Sequence, residues 1–192
     1  MRQKIRDEIL SISPFDDLER HDVSSCLAWV DSGVELCRVA KPAMPPMHLV
    51  AYFAVLDDGH VLLVDHRNAK LWLPPGGHVE PGEHPRVTVA RELEEELGFA
   101  APHPIGPPLF VTVTATVGLT AGHTDVSLWY VVRANRHQSI KFDEREFEGV
   151  RWFPFDEVPL ERADPHMKRF LAKLAIDEKT SAASGTLNEC GR

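Results

Sequence analysis

The sequence predicts an α/β fold: a mixed β-sheet with a helix packed on each side, carrying a helical extension at its N-terminus. Three observations lead there. Strand-like apolar segments, rich in Val, Leu and Thr, recur over residues 48–56, 60–65, 109–119, 124–133 and 148–153. Helical registers occupy residues 85–97 and 165–176, one between strand segments and one after the last of them. A proline-rich break at 41–47, where each residue preceding a proline is pushed toward extended geometry, separates these from a helical stretch over residues 1–31. The chain therefore divides into an extension and linker at 1–45, a main domain at 46–176 and a polar tail at 177–192 expected to be disordered.

Taken in order, Ile5, Ile9 and Leu10 share one side of the first helical segment, and Ser13 and Pro14 interrupt it. Leu18, Val23, Cys26, Leu27 and Val30 then return at helical intervals. This stripe needs a partner surface, either the main domain or a second copy of the chain in a homodimer, with Trp29 filling the contact. Asp57, Asp58 and Gly59 make a hairpin turn between the first two strands, residues 67–70 a loop, and residues 71–75 an extended approach to a glycine pair. Pro85 suits the first turn of a helix, where its missing N–H costs nothing, and Gly98 suits its C-terminal cap. Four prolines and a glycine make 101–108 irregular. The segments 109–119 and 124–133 read as a long hairpin turning at 120–123. Met167, Phe170, Leu171 and Leu174 place a second helix over the opposite side of the sheet.

At 192 residues and 43% hydrophobic, the chain can bury one sizeable core and has room for one domain with extensions, not two comfortable domains. Twenty-one Lys plus Arg against 29 Asp plus Glu leave a net charge of −8, which argues against a protein that grips long nucleic acid through its phosphates. Three cysteines without ligand spacing suggest neither a disulfide framework nor a zinc motif. The N-terminus lacks the apolar core of a signal peptide and no run of 18 apolar residues exists, so the expected setting is cytoplasmic, with no membrane partner.

The acid distribution is the chemical signal. Glu92, Glu95 and Glu96 fall at i, i+3 and i+4 of the helix over 85–97 and point one way, while Ala90, Leu93 and Leu97 form the adjoining apolar face. Like charges at this spacing destabilise a helix by roughly 0.2–0.5 kcal/mol per pair, and acids near a C-terminus oppose the helix dipole. One account is a solvated acidic face. The other is a hard divalent cation, Mg²⁺ or Mn²⁺, which carboxylate oxygens and substrate phosphates hold together.

The surrounding spacing supports the second account. Gly77, Glu83, Arg91, Glu92, Leu93, Glu95, Glu96, Gly98 and Phe99 resemble the signature of the Nudix hydrolases, G-x5-E-x7-R-E-U-x-E-E-x-G-U, at all nine fixed positions, with an aromatic residue at the last. The similarity extends more weakly over residues 48–175 and resembles bacterial members. It implies the Nudix α/β/α sandwich, in agreement with the layers argued above. It also implies metal-dependent hydrolysis of a pyrophosphate bond in a nucleoside diphosphate linked to another moiety, with water as nucleophile and Mg²⁺ or Mn²⁺ as cofactor.

By that resemblance Glu95 and Glu96 are the principal metal ligands, and Glu92 is a third ligand or the base. Arg91 orients Glu92, Glu83 supports the metal shell or its loop, and Gly76 offers a backbone carbonyl. A further carboxylate is expected from 143–148, and among Glu144, Glu146 and Glu148 the spacing to Trp152 favours Glu146. Trp72 and Trp129 are candidates for stacking a base, Arg67 and Lys70 for meeting phosphate, and His123 and Asp125 for edging the pocket. The rival functions are a catalytically silent domain retained as a nucleotide sensor, and an RNA 5′-end pyrophosphohydrolase. The leaving moiety is not legible: the run Ser-Gln-Pro-Trp-Pro-Phe-Pro of NADH-cleaving members is missing, and 114–117 reads Thr-Ala-Thr-Val.

Overall fold

A computed structural model of the chain describes residues 1–41, 44–100, 104–116 and 122–189, with side chains to residue 180. Seven strands form one mixed sheet: β1 (Met47–Asp57), β2 (His60–His66), β3 (Leu71–Leu73), β4 (Gly76–His78), β5 (Phe110–Ala115), β6 (Thr124–Arg133) and β7 (Phe147–Pro154). The principal order is β3-β2-β1-β6-β5, with β4 added to β1 and β7 added to β2. The β1–β6 pair is parallel and the other pairs are antiparallel. The helices are α1 (Arg2–Leu10), α2 (Asp17–Asp31), α3 (Pro85–Leu97) and α4 (Met167–Glu189).

Strand alternation sorts the apolar residues into two cores, which is what makes the structure three-layered. From β1, Leu49, Ala51, Phe53 and Val55 face one core, and Ala54 and Leu56 face the other. The first core also takes Ile5, Ile9, Cys26, Val30, Val89, Leu93 and Leu97, so α1, α2 and α3 all lie on that side. The second takes Met167, Phe170 and Leu174 of α4. The stripe on the N-terminal extension is thus covered by its own chain, with Trp29 half-buried against the first core.

Three differences from the expected elements have local causes. Short β4 escapes a periodicity reading because its residues are two glycines and a histidine. The expected helix end at Ile176 is overrun: nothing in the chain from Asp177 breaks a helix, and α4 continues through the stretch expected to be disordered as far as Glu189. The long hairpin exists as β5 against β6 in the register Phe110↔Trp129, and its expected turn at 120–123 falls partly outside the described residues. The first hairpin turns as expected, with Asp58 and Gly59 both at positive φ, 39° and 72°.

Buried and partly buried ion pairs fasten the extension. Asp16, the N-cap of α2, receives two hydrogen bonds from Arg169 of α4 at 2.7 and 2.6 Å. Glu19 is fully buried, accepts from the Phe15 amide at 2.6 Å and from Lys173 Nζ at 2.7 Å. Glu8 of α1 takes Arg86 at 2.6 and 3.1 Å and the Tyr130 hydroxyl at 3.0 Å. The Arg169 guanidinium, against the opposing effect of burial, holds the Asp16 carboxyl down at about 2. A carboxylate depressed in the folded state contributes stability that is complete above its unfolded pKa and disappears as pH falls through the folded one. The stability gap between the native chain and Asp16→Asn, which keeps the cap, is therefore expected to close as pH falls from about 4 to about 2, as read by thermal melts.

Candidate active site

The site is assembled where α3 meets the turn carrying β4. His84 caps the helix by accepting from the Arg86 amide at 3.2 Å, Pro85 occupies the first turn, and Gly98 at φ 69° ends it. Val89, Leu93 and Leu97 anchor one face, with Ala90 only half-buried beside them. That anchoring turns Glu92 and Glu96 toward the glycines. Glu96 is almost fully buried and accepts from the Gly76 amide at 3.0 Å.

Arg91 is the hub of the cluster. Its guanidinium donates to Glu92 Oε1 at 2.6 Å, to Glu95 Oε2 at 3.3 Å, to both Glu83 oxygens at 3.2 Å and to the His78 carbonyl at 3.3 Å. One planar cation thus ties the helix, the loop holding Glu83 and β4 together. Glu83 also accepts from Thr88 Oγ1 at 2.7 Å and from the Glu80 amide at 3.2 Å. Burial would raise its pKa, but these hydrogen bonds hold the carboxyl below its ordinary range.

Two glycines are demanded by close approach. A Cβ at Gly77 would collide with the Glu92 carboxylate, and one at Gly76 with the Ala51 carbonyl, Gly76 also standing at φ 155°.

Beside this cluster lies a cleft of about 1260 Å³. Gly76, Glu96, Glu146, His123 and Asp125 line it, so these sequence-selected residues converge. Among the three loop acids, Glu148 is paired with Lys70 at 2.7 Å, whereas the Glu146 side chain makes no hydrogen bond among the described residues and lies near Glu92 and Glu96. Four expected substrate contacts lie away from this cleft. Trp129 is fully buried in the second core, donates from Nε1 to Thr112 and packs on Phe110 and Phe170. Trp72 packs edge-on against Phe153 in the same core. Arg67 and Lys70 brace the loop before β7, Arg67 through the Glu144 carbonyl at 2.8 Å and Lys70 through Glu148. None of the four lines the cleft.

Sequence reasoning overlooked Arg38, His48, Tyr52, His78 and Asp164. Arg38, Tyr52, His78 and Asp164 line the cleft, and His48 packs beneath it against His78 and His123. A basic residue in the segment just before the main domain was the only signal for Arg38, and strand register was needed for His48. Burial pushes the Asp164 carboxyl up to about 6.

The donor set suits a hard divalent cation. Burial raises Glu92 despite Arg91, and Glu95 and Glu146 add to the rise. Burial, then the charges of Glu92 and Glu146, hold Glu96 well above the usual carboxylate range. Several oxygens that repel one another, gathered at a glycine turn where backbone can approach closely, are stabilised by a cation of that class.

Comparison with known proteins agrees with this arrangement. The NUDIX domain family matches residues 47–174. A MutT-like protein of Streptomyces ambofaciens is 29% identical over 132 residues, spanning 68% of this chain and 79% of its own length. An ADP-ribose pyrophosphatase of Bacillus subtilis is 30% identical over 138 residues, spanning 70% of this chain and 68% of its own. The crystal structure of a MutT NUDIX hydrolase from Burkholderia pseudomallei, 25% identical, superimposes with a TM-score of 0.56 over 66% of this chain and 97% of that one.

Proposed function

The chain belongs to the Nudix family as a pyrophosphate-cleaving hydrolase, and on that premise we propose that it hydrolyses a nucleoside diphosphate joined to a further moiety, with a divalent cation bound by its helix carboxylates. The observation that carries the reading is the convergence of Glu92 and Glu96, both shielded from water, on one glycine turn at the wall of a cleft large enough for a nucleotide. Glu92, Glu95 and Glu96, with the Gly76 carbonyl, are the groups that would hold Mg²⁺ or Mn²⁺. Bound there, such a cation neutralises phosphate oxygens and acidifies water.

The protein's own groups supply orientation and proton transfer. Arg91 grips Glu92 and Glu83 and so fixes the carboxylates before substrate arrives, which spares reorganisation during reaction. The attacking water adds to phosphorus, the bridging P–O bond breaks, and the water's proton passes to a carboxylate. Glu146 is suited to take it, because Glu92 and Glu96 are already engaged by donors. Arg38, on the cleft wall, is placed to meet a phosphate.

The test is a panel of nucleoside triphosphates, nucleotide sugars and dinucleotides with Mg²⁺, products identified by mass. Cleavage between two phosphates of at least one member is expected, and a chelator in excess should abolish it. Silence across the panel with both Mg²⁺ and Mn²⁺ would overturn the proposal.

A further inference from the structure

We propose that His48, His78, His123 and Asp125 form a second metal site, selective for a divalent transition cation of the zinc class and independent of Glu92, Glu95 and Glu96. Strand register brings the four together. His123 and Asp125 are two apart and share a face as the chain enters β6; His48 is the direct partner of Asp125 across the parallel β1–β6 pair. His78 is the partner of Val50 across β1–β4, and Val50 stands two residues beyond His48. All four side chains therefore project from one face of the sheet, and their ligand atoms lie within 4.8 Å of one another.

The polar atoms in this cluster lack partners where burial requires them. Among the described residues, His48 Nε2, His78 Nε2 and Asp125 Oδ1 are all buried without a hydrogen bond, and the His48 side chain is fully enclosed. His48 Nδ1 sits 2.8 Å from the Pro45 carbonyl, an acceptor only, so Nδ1 donates to it and the tautomer this selects presents its Nε2 lone pair to the cluster. That lone pair and the Asp125 carboxylate then confront each other at 3.3 Å with nothing positive between them. Buried polar groups left without partners are costly, and a shared cation satisfies all of them at once.

The spacing suits that cation. Ligands at about 2.0–2.1 Å from a tetrahedral zinc are about 3.3–3.4 Å apart along each edge. Asp125 Oδ1 stands 3.3 Å from His48 Nε2 and 3.4 Å from His123 Nε2. Three imidazoles with one carboxylate favour zinc or its neighbours over magnesium, which prefers an all-oxygen shell. Burial, and after it the nearby Arg38, push the His78 imidazole down to about 3, and burial lowers His123 too. The neutral imidazole is the form that binds a cation. With four protein ligands the site is closed, so its role is to clamp the segment entering β6 onto β1 and β4 at the cleft wall. The backbone of His78 already receives Arg91, which links the clamp to the carboxylate cluster.

The experiment uses the full chain, stripped with a chelator and titrated with Zn²⁺, and with Co²⁺ as an optical probe of geometry. One equivalent should bind with the strong visible absorption of tetrahedral Co²⁺, persist under excess Mg²⁺ and raise the melting temperature. Glu96→Gln should leave the signal unchanged. His123→Gln and Asp125→Asn, checked for folding by circular dichroism, should lose it, with binding weakened at least about a hundredfold. Absence of a tetrahedral signal in the native chain would mean that protons alone satisfy these groups, and the proposal fails. It fails equally if the signal survives both variants or vanishes in Glu96→Gln.

Discussion

Glu96→Gln is expected to lower kcat by about 10²–10⁴-fold, equivalent to roughly 3–5 kcal/mol of transition-state stabilisation, while leaving the melting temperature unchanged or raising it. The side chain keeps its shape, and its amide oxygen can still accept from the Gly76 amide as the carboxylate does at 3.0 Å. What disappears is a buried negative charge held near those of Glu92 and Glu146. Without a cation that charge is a liability to the fold, which is why stability should not fall; with one, it is a ligand, which is why rate should. Steady-state kinetics at saturating Mg²⁺ with a thermal melt on the same preparation reads both. Activity within about tenfold of the native chain would show that Glu96 is not a principal ligand, and a rate loss accompanied by a collapse of stability would show a structural role instead.

Truncating Glu19 should have the largest effect on stability. Glu19→Ala leaves the Lys173 ammonium, itself only 9% exposed, facing a vacated site and the Phe15 amide without an acceptor. Breaking a buried pair from one side costs about 3–5 kcal/mol, and for a chain of this size that corresponds to a fall of roughly 6–20 °C in Tm. The double variant Glu19→Leu with Lys173→Met should recover much of the loss, because the cost lies in the stranded charge more than in any strength of the pair itself. Urea titrations would decide it. A single-variant loss below about 1 kcal/mol would mean that water reaches Lys173 and that the extension is held by its apolar stripe alone.

Much of the architecture was legible because it rests on local rules. Pro85 and Gly98 announce both ends of α3, and the structure places the helix between Pro85 and Leu97 as expected. Asp58 and Gly59 announce the first hairpin. The carboxylate cluster was legible too, since residues three and four apart on a helix must share a side whatever lies around them. The four expected substrate contacts that lie off the cleft share one cause. Trp72, Trp129, Arg67 and Lys70 were chosen by residue type and proximity along the chain, and neither property says which face of the sheet a strand residue occupies or which charge a loop cation meets.

By itself, then, the sequence determined the family, the acid-bearing helix and the pyrophosphate chemistry, because each is written within a few consecutive turns of chain. Tertiary structure alone decided that α1 and α2 are fastened to α3 and α4 of their own chain through Glu8, Asp16 and Glu19, and that His48, His78, His123 and Asp125 meet. Those pairings join residues tens of positions apart through strand register and helix docking, and register is a property of the folded sheet that no local window of sequence contains.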